Sequence, residues 1–207
     1  MVEFADAVYY NQSYSVNASV IRIGSVPRFD QTWEVSWFVK ASFFQEVDLE
    51  KAETSTLKEG FNELMYDGQF AMHFNPAIGM SNDVNIRLYS SLGMEVSSHI
   101  PAHVNFADPD THTNVGRTTG YGPQIGAGTV VNFGNTSLYT FGTMATGDVF
   151  NTPGYRFNSR TLNAGVRIGD TVNIRYTEGT KSWAPKDQKT TSFRRFTVGL
   201  ILSELIR

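Results

Sequence analysis

The chain of 207 residues contains no cysteine, so no disulfide can hold the fold together and the redox character of its compartment stays open. No window approaches eighteen apolar residues, which excludes a transmembrane helix. Lysine and arginine form no cluster above background and the net charge is −3, so nothing indicates a nucleic-acid partner. No low-complexity linker interrupts the sequence, and we predict a single domain over residues 1–207.

The N-terminus has neither the basic segment nor the apolar core of a signal peptide in residues 1–6. Such a start fits a cytoplasmic protein, or a mature exported form with an added initiator methionine. The strand pattern described below favours the mature form.

The residues that are abundant favour strands. Aromatic side chains make up 13% of the chain, with 15 phenylalanines, and Asn, Thr, Ser and Gly are plentiful. This is an all-β composition. In residues 161–179, apolar and polar residues alternate strictly on both sides of Gly169-Asp170, which predicts a β-hairpin with one apolar and one polar face.

Nine runs of this kind can be marked along the chain, at 8–23, 32–47, 69–75, 84–97, 120–133, 137–150, 161–168, 171–177 and 193–203. Short and long connections alternate between them, which favours an up-and-down meander with tight turns at one rim and long loops at the other. We therefore predict an all-β fold, an antiparallel up-and-down β-barrel of about 8–10 strands. An odd count is unusual for such barrels. A tenth strand in residues 2–9, a miscounted hairpin or a barrel shared by several chains would each resolve it.

Two runs, GYGPQIGAGTVVNFG at 120–134 and NAGVRIGDTVNIRYTEG at 163–179, resemble the strands of small bacterial outer-membrane β-barrels. The resemblance covers most of the chain and rests on architecture. It implies a barrel that spans the bacterial outer membrane, with the lipid bilayer and lipopolysaccharide as partners, and it leaves a homo-oligomer open.

The function depends on which strand face is buried. In a membrane barrel the apolar face meets lipid and the polar face lines the lumen, whereas in a soluble protein the apolar face forms the core. The polar-face residues are Glu34, Lys40, His73, Arg87, Glu95, Gln124, Arg167, Arg175 and Arg195. They predict either a lumen that admits water or a small solute, or a network of ion pairs that closes the barrel.

Three interpretations stay open at this stage. The first is an integral outer-membrane barrel with a structural or small-solute channel role. The second is a soluble all-β subunit that assembles into a shell or tube, or folds as a sandwich. The third is a membrane-embedded lipid-modifying enzyme.

Catalysis finds little support in the residues. The chain has no Gly-x-Ser-x-Gly elbow and no cysteine nucleophile. The segment HTNVG at 112–116 resembles the His-x-Ser-Asn motif of lipid A deacylase barrels only weakly, because the serine is missing. We therefore expect no enzymatic activity and no cofactor.

Three of the four histidines share one segment with two aspartates: His99, His103, His112, Asp108 and Asp110. Such side chains can bind zinc or another divalent ion. Their spacing matches no known ligand signature, and Pro101 opposes the helix that a His-x-x-x-His pair would need. We expect a polar external loop without a metal.

Residues 54–65, TSTLKEGFNELM, place apolar side chains at helical spacing, and Thr56 with Glu59 fits a capping box. These features predict a short amphipathic helix on one rim of the barrel.

Overall fold

The computed structural model describes residues 1–10, 15–25, 27, 29–44, 64–81, 83–100, 118–150, 152–169, 171–184 and 191–200. They form one antiparallel sheet of eleven strands. The strands are β1 (Val2–Tyr10), β2 (Ser15–Gly24), β3 (Trp33–Phe44), β4 (Leu64–Phe74), β5 (Ala77–Met80), β6 (Val84–Ile100), β7 (Thr118–Phe133), β8 (Thr136–Val149), β9 (Arg156–Ile168), β10 (Val172–Ala184) and β11 (Thr191–Leu200). Within these ranges no helix is long and apolar enough to cross a membrane.

The sheet closes on itself. Strand β1 pairs with β2 on one side and with β11 on the other, and β4 pairs with β6 along its whole length. The short β5 continues β4 along the same edge of β6, so the two occupy one place in the ring. The result is a closed barrel of ten strands, which confirms the predicted up-and-down architecture. The tenth strand is β1, which accounts for the odd count in the sequence.

Strand β1 begins and strand β11 ends at the same rim, because Val2 pairs with Leu200. The connections at this rim, called the short-turn rim, cover residues 25–32, 81–83, 134–135 and 169–171. Those at the opposite, long-loop rim cover 11–14, 45–63, 101–117, 150–155 and 185–190. Three connections at the long-loop rim, 11–14, 150–155 and 185–190, are shorter than 25–32, so the predicted strict alternation of short and long connections is wrong. The predicted run 8–23 had merged the end of β1 with β2, so the short connection between them was not predicted.

The strands are staggered around the barrel. The pairing row that starts at Val2, on the short-turn rim, runs through Val39 and Val96 and reaches Asp148, near the long-loop end of β8. A row of paired residues runs perpendicular to the strands. It can shift from one rim toward the other around the ring only when the strands tilt relative to the barrel axis, as closure requires.

Burial alternates along each strand, and most of the bulky apolar side chains point outward. Trp37 and Leu200 are 48% and 51% exposed, whereas Arg167 and Arg175 are 5% and 6% exposed. A soluble sandwich or shell subunit would need the opposite orientation, so that interpretation is wrong. The closed ring also pairs the backbone N–H and C=O groups at the strand edges. Hydrocarbon offers these groups no hydrogen-bond partner.

Strand lengths differ from the predictions at the long-loop rim. Strand β4 begins at Leu64 and β10 ends at Ala184, so both extend into segments predicted as loops. The predicted helix at 54–65 cannot include Leu64 and Met65, which belong to β4, and residues 54–63 lie outside the described residues. These extensions place Asp67 and Lys181 inside the barrel, where each finds an ion-pair partner.

Closure between the first and last strands can be tested with a disulfide, since the native chain has no cysteine. Phe4 and Val198 are cross-strand partners in the β1–β11 register. Facing residues in antiparallel strands lie within disulfide range, so the pair Phe4→Cys and Val198→Cys should oxidise to an intramolecular bond. The measurement is the loss of free thiol in the folded monomer, followed by mass spectrometry of the cross-linked peptide.

The matched control combines Phe4→Cys with Leu138→Cys on β8, which is not a neighbour of β1. This second pair should stay reduced. Oxidation of both pairs at similar rates, or of neither, would contradict the β1–β11 pairing.

Candidate functional site

The interior of the barrel is the candidate site, and its side chains lie in three layers. The layer nearest the short-turn rim is aromatic. Phe29 is 1% exposed and its ring centroid lies 4.9 Å from that of Tyr139 and 6.0 Å from that of Tyr89. Val130 and Phe141 complete this aromatic layer.

Phe29 belongs to the connection between β2 and β3, and together with Pro27 it lines the interior of the barrel at this rim. Its φ of 64° is the left-handed conformation that a phenylalanine rarely adopts. Two inward side chains hold the segment: Asn132 Nδ2 donates to the Phe29 carbonyl at 3.2 Å, and Arg167 Nη1 donates to the Pro27 carbonyl at 2.8 Å. The segment therefore occupies the short-turn end of the lumen.

The middle layer contains two ion clusters. In the first, the carboxylate of Glu3 receives Arg22 Nη1 at 2.7 Å and Arg175 Nη2 at 2.6 Å. Asn173 Nδ2 donates to the same carboxylate at 2.9 Å, and Tyr139 OH donates to Asn173 Oδ1 at 2.8 Å. Glu3 is 1% exposed, so this carboxylate exchanges nearly all of its hydration for charged and polar partners.

The second cluster is centred on Asp67, whose carboxylate binds the ammonium groups of Lys40 and Lys181 and the hydroxyl of Ser97. Lys181 Nζ also lies 2.9 Å from Glu95 Oε1, which links β10 to β6 across the lumen. Both lysines and Asp67 are almost fully buried. A buried charge of this kind is tolerated only with such partners.

The layer nearest the long-loop rim is apolar. Its buried members come from six strands: Ala7, Ala18, Val20, Met65, Ala145, Val149, Phe157 and Phe193. Phe157 is fully buried. A cavity of about 70 Å³ remains among these side chains, and its lining includes Phe29 of the aromatic layer, Lys40 of the ion clusters and Phe193 of the apolar layer. Its size suits a few water molecules.

The nine residues of the predicted polar face all belong to inward-facing positions. Seven are buried: Lys40, His73, Glu95, Gln124, Arg167, Arg175 and Arg195. Glu34 and Arg87 are half-buried toward the short-turn rim, where Arg87 Nη1 donates to the Asn75 carbonyl at 2.9 Å. His73 Nε2 lies 2.6 Å from Ser36 Oγ, and the side chains of Gln69 and Gln124 are hydrogen-bonded to each other.

Sequence reasoning missed four residues of the ion clusters: Glu3, Arg22, Asp67 and Lys181. Arg22 carried a usable signal, since it stands between Ile21 and Ile23 in an alternating run. Glu3 lies in residues 2–9, which were only one of three ways to resolve the odd strand count, and Asp67 lies in a segment predicted as a loop, so their faces were not predicted.

The five weak candidates for metal binding, at which the sequence led us to expect no metal, fall largely outside the part of the chain that the structure describes. His103, Asp108, Asp110 and His112 lie outside the described residues, and His99 is described only as part of the β6 backbone. In the portion of the chain that is described, no group of three His, Asp or Glu side chains is arranged to hold a metal.

The outer wall carries bulky apolar side chains around the ring, including Trp33, Leu92 and Phe196 at 64%, 65% and 59% exposure. Near the short-turn rim the Trp33 ring lies 4.5 Å from that of Phe74, and toward the long-loop rim Tyr66 and Tyr121 face outward. Aromatic residues at both ends of an apolar band are typical of a membrane-embedded barrel. The protein is a transmembrane β-barrel of the outer-membrane type. The even strand number fits the bacterial form.

Comparisons with solved structures give two distant likenesses. The N-terminal β-barrel domain of Pseudomonas aeruginosa OprF aligns at 11% identity over 95% of this chain and 95% of that chain, with a TM-score of 0.32. The outer membrane phospholipase A from Escherichia coli aligns at 9% identity over 94% and 95%, with a TM-score of 0.37. No family model and no curated protein matches the sequence.

Removing the central carboxylate of the Asp67 cluster should strongly destabilise the barrel. The substitution Asp67→Asn leaves Lys40 and Lys181 buried without their shared carboxylate, which should lower the free energy of unfolding by about 3–5 kcal/mol. The exposed pair of Asp148 with Arg156, at 3.0 Å, offers a matched control. Asp148→Asn should cost less than about 1 kcal/mol. Urea unfolding in lipid vesicles measures both, and equal effects would contradict the buried network.

Proposed function

We propose that the protein is a closed, structural outer-membrane barrel whose lumen is filled by its own side chains. The sequence left a structural role and a channel role open, and the side chains that fill the lumen support the structural role. The alternative, a small-solute channel, needs a continuous polar passage between the rims.

The observation that carries this proposal is the stacking of three unlike layers along the barrel axis. A solute entering from the short-turn rim meets Phe29 and the rings around it. It then meets the two ion clusters, in which Glu3 and Asp67 each bind two cations. Beyond them lies the apolar layer with Phe157 and Phe193. Barrels of eight to ten strands have little interior space beyond what side chains fill.

A space of about 700 Å³ lies at the short-turn rim, bordered by Asp30, Asn132 and Arg167 among others. It is a shallow vestibule on the outer side of the aromatic layer. Arg167 and Asn132 hold the Phe29 segment across its inner end, so the vestibule supports a blocked mouth rather than a pore entrance.

The Ser36–His73 pair deserves comparison with a catalytic serine and histidine, because the two side chains are 2.6 Å apart. Both side chains are buried in the lumen, at 7% and 1% exposure. A lipid substrate travels along the outer wall and has no route to them past the aromatic layer. We propose that the pair joins β3 to β4 and has no role in lipid hydrolysis.

Lipopolysaccharide is the proposed lipid partner at the long-loop rim, since long loops face the exterior in barrels of this type. The possible homo-oligomer predicted from the sequence stays a prediction.

Conductance in a planar bilayer tests the closed lumen. Purified protein should insert without stepwise current, because ions cannot pass the three filled layers. Insertion is verified separately by heat-modifiable migration of the recovered protein, and a porin in the same bilayer shows that the measurement detects pores. Steady, single-sized conductance steps from the purified protein would refute the structural role.

The structural role of the Ser36–His73 pair is tested by phospholipid and lipid A hydrolysis with the wild-type protein and with Ser36→Ala. Neither protein should release acyl chains above the buffer background. A wild-type activity that Ser36→Ala abolishes, while the folded fraction is unchanged, would show that the pair is catalytic.

A further inference from the structure

A groove of about 810 Å³ crosses the outer wall of the barrel over β7 to β11. Its lower part, toward the middle of the wall, has Ala127 and Gly142 at its floor and Ile125, Met144 and Leu162 at its sides. Its upper part, toward the long-loop rim, is polar. The residues there are Arg160, Glu178, Thr180, Ser192 and Arg194.

The floor is recessed because adjacent strands place small residues side by side. Gly142 faces Ala127 directly in the β7–β8 register. A Cβ atom added at Gly142 would meet only the Thr161 carbonyl oxygen, at an ordinary 3.6 Å, so space remains in front of this glycine. Elsewhere on the wall, outward positions carry large side chains such as Trp37 and Phe70. A recess in an apolar wall that faces hydrocarbon fits an acyl chain.

The polar end of the groove lies where the apolar wall ends. From the short-turn rim upward, the outward residues of β9 are Ile168, Val166, Ala164, Leu162 and Arg160. Those of β11 are Leu200, Val198, Phe196 and Arg194. The change from apolar to charged residues therefore occurs at Arg160 and Arg194, which marks the boundary between hydrocarbon and headgroups.

The two arginines stand on either side of β10. Arg160 faces Thr180 on β10 and Met144 on β8, so neither of its cross-strand neighbours is acidic. Arg194 faces Glu178, whose carboxylate also accepts a hydrogen bond from Tyr176 OH at 3.1 Å. The two guanidiniums outnumber the single carboxylate, and Thr180 and Ser192 add hydroxyl donors. This set of groups is suited to a phosphate, which guanidiniums bind through paired hydrogen bonds.

We propose that this groove binds the phosphorylated lipid of the long-loop leaflet, the lipid A part of lipopolysaccharide, with a phosphate between Arg160 and Arg194 and an acyl chain over Gly142 and Ala127. The assignment extends the proposed lipid partner to a site, and it rests on the long-loop rim facing outward. It is independent of whether the lumen is closed.

Charge complementarity favours this occupant over a second copy of the chain. A symmetric dimer through the groove would bring arginines of two copies together at the hydrocarbon boundary, whereas a phosphate neutralises them. A phospholipid offers the same phosphate chemistry, but it is the lipid expected at the short-turn rim, where the groove does not extend.

Native mass spectrometry of the folded protein, titrated with deep-rough lipopolysaccharide in mild detergent, tests the site. The wild type should bind one molecule. The double substitution Arg160→Gln with Arg194→Gln should weaken binding at least tenfold. Gly142→Leu, which fills the recess, should weaken it severalfold while leaving the arginines in place. Ala127→Leu provides a second way to fill the recess if Gly142→Leu fails to fold.

The matched control is Arg156→Gln, which removes an exposed arginine of the same strand that pairs with Asp148 outside the groove. This variant should bind lipopolysaccharide as the wild type does. A loss equal to that of the double variant would show non-specific attraction to a cationic surface and overturn the site. Unchanged binding in all groove variants would overturn it as well.

Two further measurements distinguish lipid A from the other possible occupants of the groove, a phospholipid and a second copy of the chain: the binding of phosphatidylglycerol and the oligomeric state. Phosphatidylglycerol should bind at least tenfold more weakly than lipopolysaccharide, and equal affinity with the same dependence on Arg160 would overturn the assignment to lipid A. A wild-type dimer that Gly142→Leu dissociates would assign the groove to a second copy and overturn the proposal. A conducting lumen, by contrast, would refute the closed-barrel function and leave these binding results unaffected.

Discussion

The antiparallel pairing of β1 with β11 is the contact on which the rest of the structure depends. It joins residues from the two ends of the chain, as in the pair Phe4 and Val198, and it leaves the ring without an open edge. In hydrocarbon an unpaired strand edge would cost several kcal/mol for each exposed backbone group. Closure also divides the side chains of every strand into two sets, one facing lipid and one facing the lumen.

Once the ring is closed, the charged side chains that face the narrow lumen need partners of opposite charge there. The Glu3 cluster provides them by joining β1, β2 and β10, and the Asp67 cluster by joining β3, β4, β6 and β10. The contacts of Glu3 with Arg175 and of Asp67 with Lys181 join strands that are not adjacent in the ring, so they brace the lumen as well as fill it. The aromatic and apolar layers then cover the ion clusters from the two rims. The same arrangement that satisfies the buried charges leaves little room for a conducting path.

Much of this could be predicted from residue alternation, because a strict period of two assigns each side chain to a face without knowledge of the partner strand. Arg167 and Arg175, for example, follow from the hairpin around Gly169. The carboxylates at the cluster centres could not be predicted, because Glu3 and Asp67 lie in segments without a clear alternation. Pairing also joins residues far apart in sequence, such as Glu3 and Arg175, and this register cannot be read from either segment alone. The groove could not be predicted from the sequence for the same reason, because Ala127 and Gly142 form a recess only where the pairing of β7 with β8 brings them side by side.

The orientation of the strands is the central claim, and spin labels in lipid bilayers measure it directly. Since the chain has no cysteine, single cysteines can be placed in turn at residues 195 to 198 of β11 and labelled. Oxygen accessibility should be high at Phe196 and Val198 and low at Arg195 and Thr197, because the first two face hydrocarbon. The opposite alternation, or uniform accessibility to a water-soluble reagent along the strand, would contradict a barrel whose apolar face meets the membrane.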